Sequence, residues 1–269
     1  MGETKLMLAY QCTGDNRQPN LVLLHGFLGS GADWAQLLPV LSQHFYCITI
    51  DLPGHGNSSI QRVPEPGFKA TVELLLQTLD NLGVNRFHLL GYSLGGRIAL
   101  HVAQMAPQRL LSLQLESCHP GLLTVAEKEQ RAVSDSQWAT RLAHLPIQQF
   151  LALWYQQPVF AELSDAEKAL LIERRSQQSP DALLAMFRAT SLAWQQDLQQ
   201  VPASCGCPVH YYYGQQDAKF SALAQRWQTR SNIHCHAIAA AGHNSHQANP
   251  QQFLAALLPA LGSSAEVTP

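Results

Sequence analysis

Gly91-Tyr-Ser93-Leu-Gly95-Gly96 stands between an apolar run at Phe87–Leu90 and a helical pattern from Arg97 to Ala106. A serine on a sharp strand-to-helix turn is pushed clear of both elements, and small flanking residues let the backbone close. The helix N-terminus that follows adds unpaired amides and partial positive charge, both suited to a developing anion. A serine hydroxyl reacts poorly until a base takes its proton, and that base needs an orienting carboxylate. Asp217, in Gly214-Gln-Gln-Asp217, and His243, in Ala241-Gly-His243-Asn244, follow strand-like segments in that order. Taken singly they could be a turn carboxylate and a loop histidine. Taken jointly, in the order serine, acid, histidine, they form a proton-transfer set with Ser93.

Near the N-terminus, His25-Gly26-Phe27 follows the first strong apolar run. The backbone amide of Phe27 can pair with that of Leu94 to hold an oxyanion. His25 itself reads as a residue that bonds loop backbone. Asp51-Leu-Pro-Gly54-His55-Gly56-Asn-Ser58 reads as a shaping loop, and Asp51 is a rival acid whose place before the serine breaks the expected order. Cys205-Gly-Cys207 and His234-Cys235-His236 hint at a metal, but both spacings differ from the usual zinc pairs, both lie in strand-like surroundings, and no metal is expected.

These residues need a frame. Leu21–Leu24, Tyr46–Ile50, Phe87–Leu90 and Leu110–Leu115 read as buried strands, separated by helical patterns at Ala70–Leu82 and Arg97–Ala106. Buried runs alternating with helices imply a mostly parallel sheet covered on both faces. From about Leu122 to Gln200 only helical patterns occur; strands resume at Val209–Tyr213 and Ile233–Ala239, and a helix closes at Gln252–Leu261. The expected organisation is an α/β core, residues 1–118 and 205–262, interrupted by a helical insertion at 119–204. The tail, 263–269, is expected to be disordered.

The chain has 269 residues, 46% hydrophobic and 13% charged, with a formal net charge of −2. That is ample for a large core and excludes disorder as the main state. Near-balanced charge gives no broad field for nucleic acid or an anionic membrane. The N-terminus lacks a signal-peptide pattern, and Leu6 stands where myristoylation needs Ser or Thr. No apolar run approaches a membrane span. Six scattered cysteines are expected to be reduced thiols, and the chain cytoplasmic.

His25-Gly-Phe27, Asp51-Leu-Pro-Gly-His-Gly56, Gly91-Tyr-Ser-Leu-Gly-Gly96 and Gly242-His243 together resemble the α/β-hydrolase superfamily. That resemblance implies an α/β-hydrolase fold with an inserted helical cap, and leaves chemistry open, since hydrolases, lyases and inert members share it. A narrower resemblance reaches into the insertion. Glu116-Ser-Cys-His119-Pro-Gly-Leu122, Trp154-Tyr-Gln-Gln-Pro-Val-Phe160, Ala185-Met-Phe-Arg-Ala-Thr-Ser-Leu192 and Ala241-Gly-His-Asn-Ser-His246 look like the 2-succinyl-6-hydroxy-2,4-cyclohexadiene-1-carboxylate synthases of menaquinone biosynthesis. The resemblance implies a cofactor-free 2,5-elimination that expels pyruvate from an enolpyruvyl cyclohexene dicarboxylate bearing a succinyl group. In that scheme Ser93 abstracts the ring proton, His243 accepts it, Asp217 orients His243, and Phe27 and Leu94 supply the oxyanion hole. Arg97, Arg131 and Arg175 would hold the carboxylates of this small-molecule polycarboxylate, with Tyr92, Trp154 and Tyr155 lining the pocket. Guanidinium suits the task because it is always charged and bonds carboxylate with two donors. From pattern alone, Arg131 and Arg175 could instead be solvated helix faces, and Trp154 and Tyr155 core of the insertion. The rival functions are a serine hydrolase using the same residues and a non-catalytic ligand-binding member.

Overall fold

Asn20–Leu24 shows how the sheet forms: Leu21 and Leu23 enter one apolar cluster while Val22 and Leu24 enter another. Alternate residues face opposite sides of a strand, so a continuous apolar run has to be covered twice. The computed structural model describes residues 7–58, 63–229 and 233–262; the tail expected to be disordered lies outside them. Among the described residues seven strands form one sheet: β1 (Tyr10–Thr13), β2 (Asn20–Leu24), β3 (Tyr46–Ile50), β4 (Phe87–Tyr92), β5 (Leu110–Glu116), β6 (Val209–Gly214) and β7 (His234–Ile238). Their spatial order is β1-β3-β2-β4-β5-β6-β7. Only β1 runs antiparallel, against β3.

In chain order the helices are α1 (Leu38–Leu41), α2 (Phe68–Asn81), α3 (Leu94–Met105), α4 (Val125–His144), α5 (Ile147–Trp154) and α6 (Asp165–Arg175). They continue as α7 (Pro180–Ala189), α8 (Val201–Ser204), α9 (Ala218–Gln228), α10 (Ser245–Ala248) and α11 (Pro250–Ala260). Residues from α2, α3 and α9 join the cluster on one face, and residues from α1 and α11 the cluster on the other. No helix among the described residues is long and apolar enough to cross a membrane.

The topology creates the site. The chain winds from β2 outward to β3, then returns to place β4 on the other side of β2. Loops leaving β2 and β4 therefore part in opposite directions, opening a crevice at the strands' C-terminal ends. Pairing of Leu24 with Gly91 and of Tyr92 with Glu116 brings these ends level. Helices α4 to α8 fall between β5 and β6 in the chain. Capping boxes start α4 at Thr124 with Glu127 and α6 at Ser164 with Glu167. Phe150, Leu151 and Leu183 from these helices, with Tyr155 just past α5, bury a third apolar cluster together with Leu28 of the β2 loop.

Three sequence expectations need correction. β1 is absent from the sequence reading because Tyr-Gln-Cys-Thr has no apolar run; an edge strand against β3 needs only backbone partners. Helix α3 starts at Leu94, three residues before the expected Arg97, because Gly95 and Gly96 are helical. Cys205 and Cys207 flank a turn at Gly206, whose φ of 71° is incompatible with a strand.

Candidate active site

Ser93 has φ 50° and ψ −106°, outside the regions an L-residue favours. Such backbone costs about 1–3 kcal/mol and persists only where its surroundings enforce it. Here Ser93 N donates to Glu116 O at 2.8 Å, and Arg97 N donates to Ser93 O at 3.1 Å. Close packing explains the glycines: a Cβ on Gly91 would lie 2.4 Å from Gly95 O, and one on Gly95 2.2 Å from Leu24 O. Neither position tolerates a side chain. The turn lifts the Ser93 side chain into a cavity of about 630 Å³.

Asp217 ends the turn after β6 and caps α9, its Oδ1 accepting from Phe220 N at 3.1 Å. Its Oδ2 is left for His243 Nδ1, 2.9 Å away. A carboxylate beside Nδ1 fixes the proton there, so Nε2 presents a lone pair. That Nε2 lies 3.2 Å from Ser93 Oγ. Asp217 and His243 are both buried, which keeps the chain of bonds out of water. The amides of Phe27 and Leu94 donate to no acceptor among the described residues. Gly26 allows this loop to press on the Tyr92 ring, since a Cβ would meet Tyr92 Cε1 at 2.7 Å.

The neighbouring histidines have the bland role expected of His25. His25 Nδ1 donates to Gly26 O and its Nε2 accepts from Leu52 N at 2.9 Å. His55 does the same with Pro53 O and Leu28 N. Burial lowers both pKa values, which keeps the rings neutral and able to accept. Asp51 accepts from Gly31 N and Asn57 N, so it shapes the loop and is committed away from His243.

Arg97, Arg131, Arg175, Tyr92, Trp154 and Tyr155 all line the cavity that holds Ser93 and His243. None of the three arginines is free. Arg97 Nε donates to Gln195 Oε1 at 2.6 Å and Nη2 to Thr190 O at 2.5 Å. Burial, reinforced by Arg131, pushes its guanidinium down to about 9, so it stays a cation at neutral pH. Arg131 Nε bonds Asp135 at 2.7 Å, and Asp135 also accepts from Ser191 Oγ. Arg175 is 6% exposed, which removes the reading of a solvated helix face. Its Nη2 pairs with Asp33 at 3.2 Å and its Nη1 reaches Phe27 O at 3.4 Å. Burial works against its charge, but Asp33, Tyr155 and Tyr92 outweigh burial and raise its pKa. Trp154 and Tyr155 serve both roles foreseen, lining the cavity while packing against Phe27 and Phe160 respectively.

Five further residues at the site escaped the sequence reading. Asp33 pairs with Arg175, Gln195 with Arg97, and Glu162 Oε1 accepts from His243 N at 3.1 Å. His119 and Lys219 also line the cavity. Burial and then Lys219, Arg97 and Arg131 push His119 down to about 3, so its ring is neutral. Of these, His119 lay inside a motif quoted for the resemblance and Lys219 two residues past Asp217, but neither was given a role. Behind the cavity, Glu116 accepts from Ser245 Oγ, His246 N and His246 Nδ1, fixing the segment after His243 to the end of β5.

A strained serine between strand and helix, at the switch point of a mostly parallel sheet, with a histidine and a carboxylate in line, defines an α/β-hydrolase-type enzyme. The family model described as "alpha/beta hydrolase fold" matches residues 19–250, and the chain belongs to that family. Within it, the chain is 40% identical over 247 residues to the 2-succinyl-6-hydroxy-2,4-cyclohexadiene-1-carboxylate synthase of Salmonella newport, covering 91% of this chain and 94% of that one. It is 42% identical over 242 residues to the synthase of the same name from Enterobacter sp. strain 638, covering 89% and 90%. MenH from S. aureus superposes with a TM-score of 0.86 at 29% identity, covering 95% of this chain and 98% of that one. The chain is thus a member of the 2-succinyl-6-hydroxy-2,4-cyclohexadiene-1-carboxylate synthase family.

Proposed function

We propose that this enzyme is a carbon–oxygen lyase of menaquinone biosynthesis that eliminates pyruvate from 2-succinyl-5-enolpyruvyl-6-hydroxy-3-cyclohexene-1-carboxylate. The observation that carries this reading is a Ser93–His243–Asp217 chain opening into a cavity walled by four arginines, Arg97, Arg131, Arg174 and Arg175. A neutral ester gives no reason to place so much positive charge around a serine; a tricarboxylate does. His243 Nε2 takes the Ser93 proton as Ser93 Oγ removes the ring proton beside the succinyl carbonyl. The electron pair enters the ring, shifts the double bond, and breaks the bond from carbon to the enolpyruvyl oxygen. Pyruvate leaves as its enolate and is protonated on carbon by the proton that His243 holds, so atoms and charge balance without water or a redox partner. Transient negative charge on the succinyl oxygen falls to the amides of Phe27 and Leu94, donors of a kind worth about 10²–10³ in rate. Asp217 keeps Nδ1 protonated and steadies the imidazolium.

The alternative is a serine hydrolase, in which Ser93 is acylated and water completes the reaction. The same geometry, with two free amides beside an activated serine, suits that chemistry. Pyruvate release from the enolpyruvyl substrate in ¹⁸O-water separates the two. Stoichiometric pyruvate with no label entering the succinyl product, apart from controlled carbonyl exchange, is the expected result. No pyruvate, or one label per turnover, overturns the proposal.

A further inference from the structure

Lys219 and Arg174 are cavity-lining cations for which the fold supplies no anion among the described residues, and Lys219 is the one whose charge meets those of Arg131 and Arg97. It donates to no acceptor and joins no ion pair among the described residues, whereas Arg97, Arg131 and Arg175 each bond a partner. Its ammonium lies over the Phe220 ring, 5.3 Å from the centroid, a cation–π contact that brings no counter-charge. Local structure is also against it. Lys219 falls in the first turn of α9, where the helix dipole disfavours a cation. Partial burial, Arg131 and Arg97 work against its charge more than Asp217 and Asp135 support it, which lowers its pKa. Those carboxylates are already engaged: Asp217 with His243 and Phe220 N, Asp135 with Arg131 and Ser191. Lys219 stays exposed to solvent, so water rather than a protein anion balances its charge near the two arginines, and a ligand carboxylate can take the place of that water.

We infer that Lys219 is a specificity-determining residue that completes, with Arg97 and Arg131, a subsite for a carboxylate group of the substrate. The inference rests on the anionic substrate proposed above. Arg97 keeps one terminal nitrogen, Nη1, outside the bonds to Gln195 and Thr190, and Arg131 keeps both of its own outside the bond to Asp135. A carboxylate has room for donors from all three side chains. The arginines, fixed by protein bonds, set the orientation; the lysine, a flexible point charge, supplies attraction over a range of positions. Because the contact is made in both ground and transition states, its loss falls on KM.

The test is steady-state kinetics of pyruvate release by Lys219→Met and Lys219→Arg, with direct titration of succinate as a dicarboxylate probe. Lys219→Met is expected to raise KM about tenfold with kcat within about twofold, the low end for a lost charge-assisted bond. Lys219→Arg should keep KM within about threefold of the parent, and succinate should bind Lys219→Met more weakly than the parent. An unchanged KM and succinate affinity in Lys219→Met overturns the inference. So does a fall in kcat alone, which would make Lys219 a modulator of Asp217 and His243. If the parent itself releases no pyruvate, the proposed reaction fails, while succinate affinity still reports on the subsite.

Discussion

Asp33→Asn removes one charge from the wall of the cavity and leaves its shape. The Arg175 and Asp33 side chains are 7% and 5% exposed, with 3.2 Å between Nη2 and Oδ2. At an effective dielectric constant of about 20, two unit charges at that distance attract by about 5 kcal/mol. The buried Nε of Arg175 has no partner, so Asp33 is its principal compensation. Removing one member of a buried pair costs about 3–5 kcal/mol, because the other stays charged and desolvated. For a chain of 269 residues, each kcal/mol is worth about 2–4 °C in Tm. Asp33→Asn should therefore lower Tm by about 6–20 °C, read by calorimetry or circular dichroism with ligand absent. Asp33→Asn with Arg175→Met should be the milder lesion, since no orphan charge remains. A saturating polycarboxylate should return part of the lost stability by giving Arg175 a new anion. A loss under about 2 °C, or a double variant worse than the single one, would refute the account of a buried, mutually dependent pair.

Ser93→Ala and His243→Ala should each lower kcat by at least about 10³-fold without loss of fold, and the double variant should be scarcely worse; full additivity in pyruvate-release assays would show that they serve separate steps. Arg97→Ala, Arg131→Ala and Arg175→Ala should each lower kcat/KM about ten- to a hundredfold, with Arg97→Lys a poor rescue. Losses under threefold in all three would leave the cavity without a polyanion. His101 packs on Phe68 and is pushed down to about 4, by burial and then by Arg97. Its neutral form is favoured in the fold, so its contribution is complete above the unfolded pKa of about 6.5. That contribution drains as pH falls toward about 4. Urea midpoints of His101→Phe should fall less steeply than the parent's across that window; parallel curves would count against the buried neutral ring.

Much of the proton-transfer set could be read along the chain because its causes are local or ordered by topology. Gly91, Ser93 and Gly95 lie within five residues, and the clash that excludes a side chain at Gly91 is with Gly95 itself. Buried strands announce themselves by unbroken apolar runs such as Leu21–Leu24, and the order serine, carboxylate, histidine follows from the order of the loops. The inserted helices show in their helical spacing. What surrounds the catalytic atoms was hidden. Arg175 and Asp33 are 142 residues apart, Arg97 and Gln195 98, and His243 and Glu162 81. A hydrogen bond across such a span depends on how helices from the insertion settle against the β2 and β4 loops, and side-chain type alone does not specify it. For the same reason the arginines could be foreseen but not their partners, nor the role of Lys219, whose one signal was its place beside Asp217. Polar side chains carry a capacity to bond in their chemistry; packing alone determines which capacity is spent inside the protein and which is left facing the cavity.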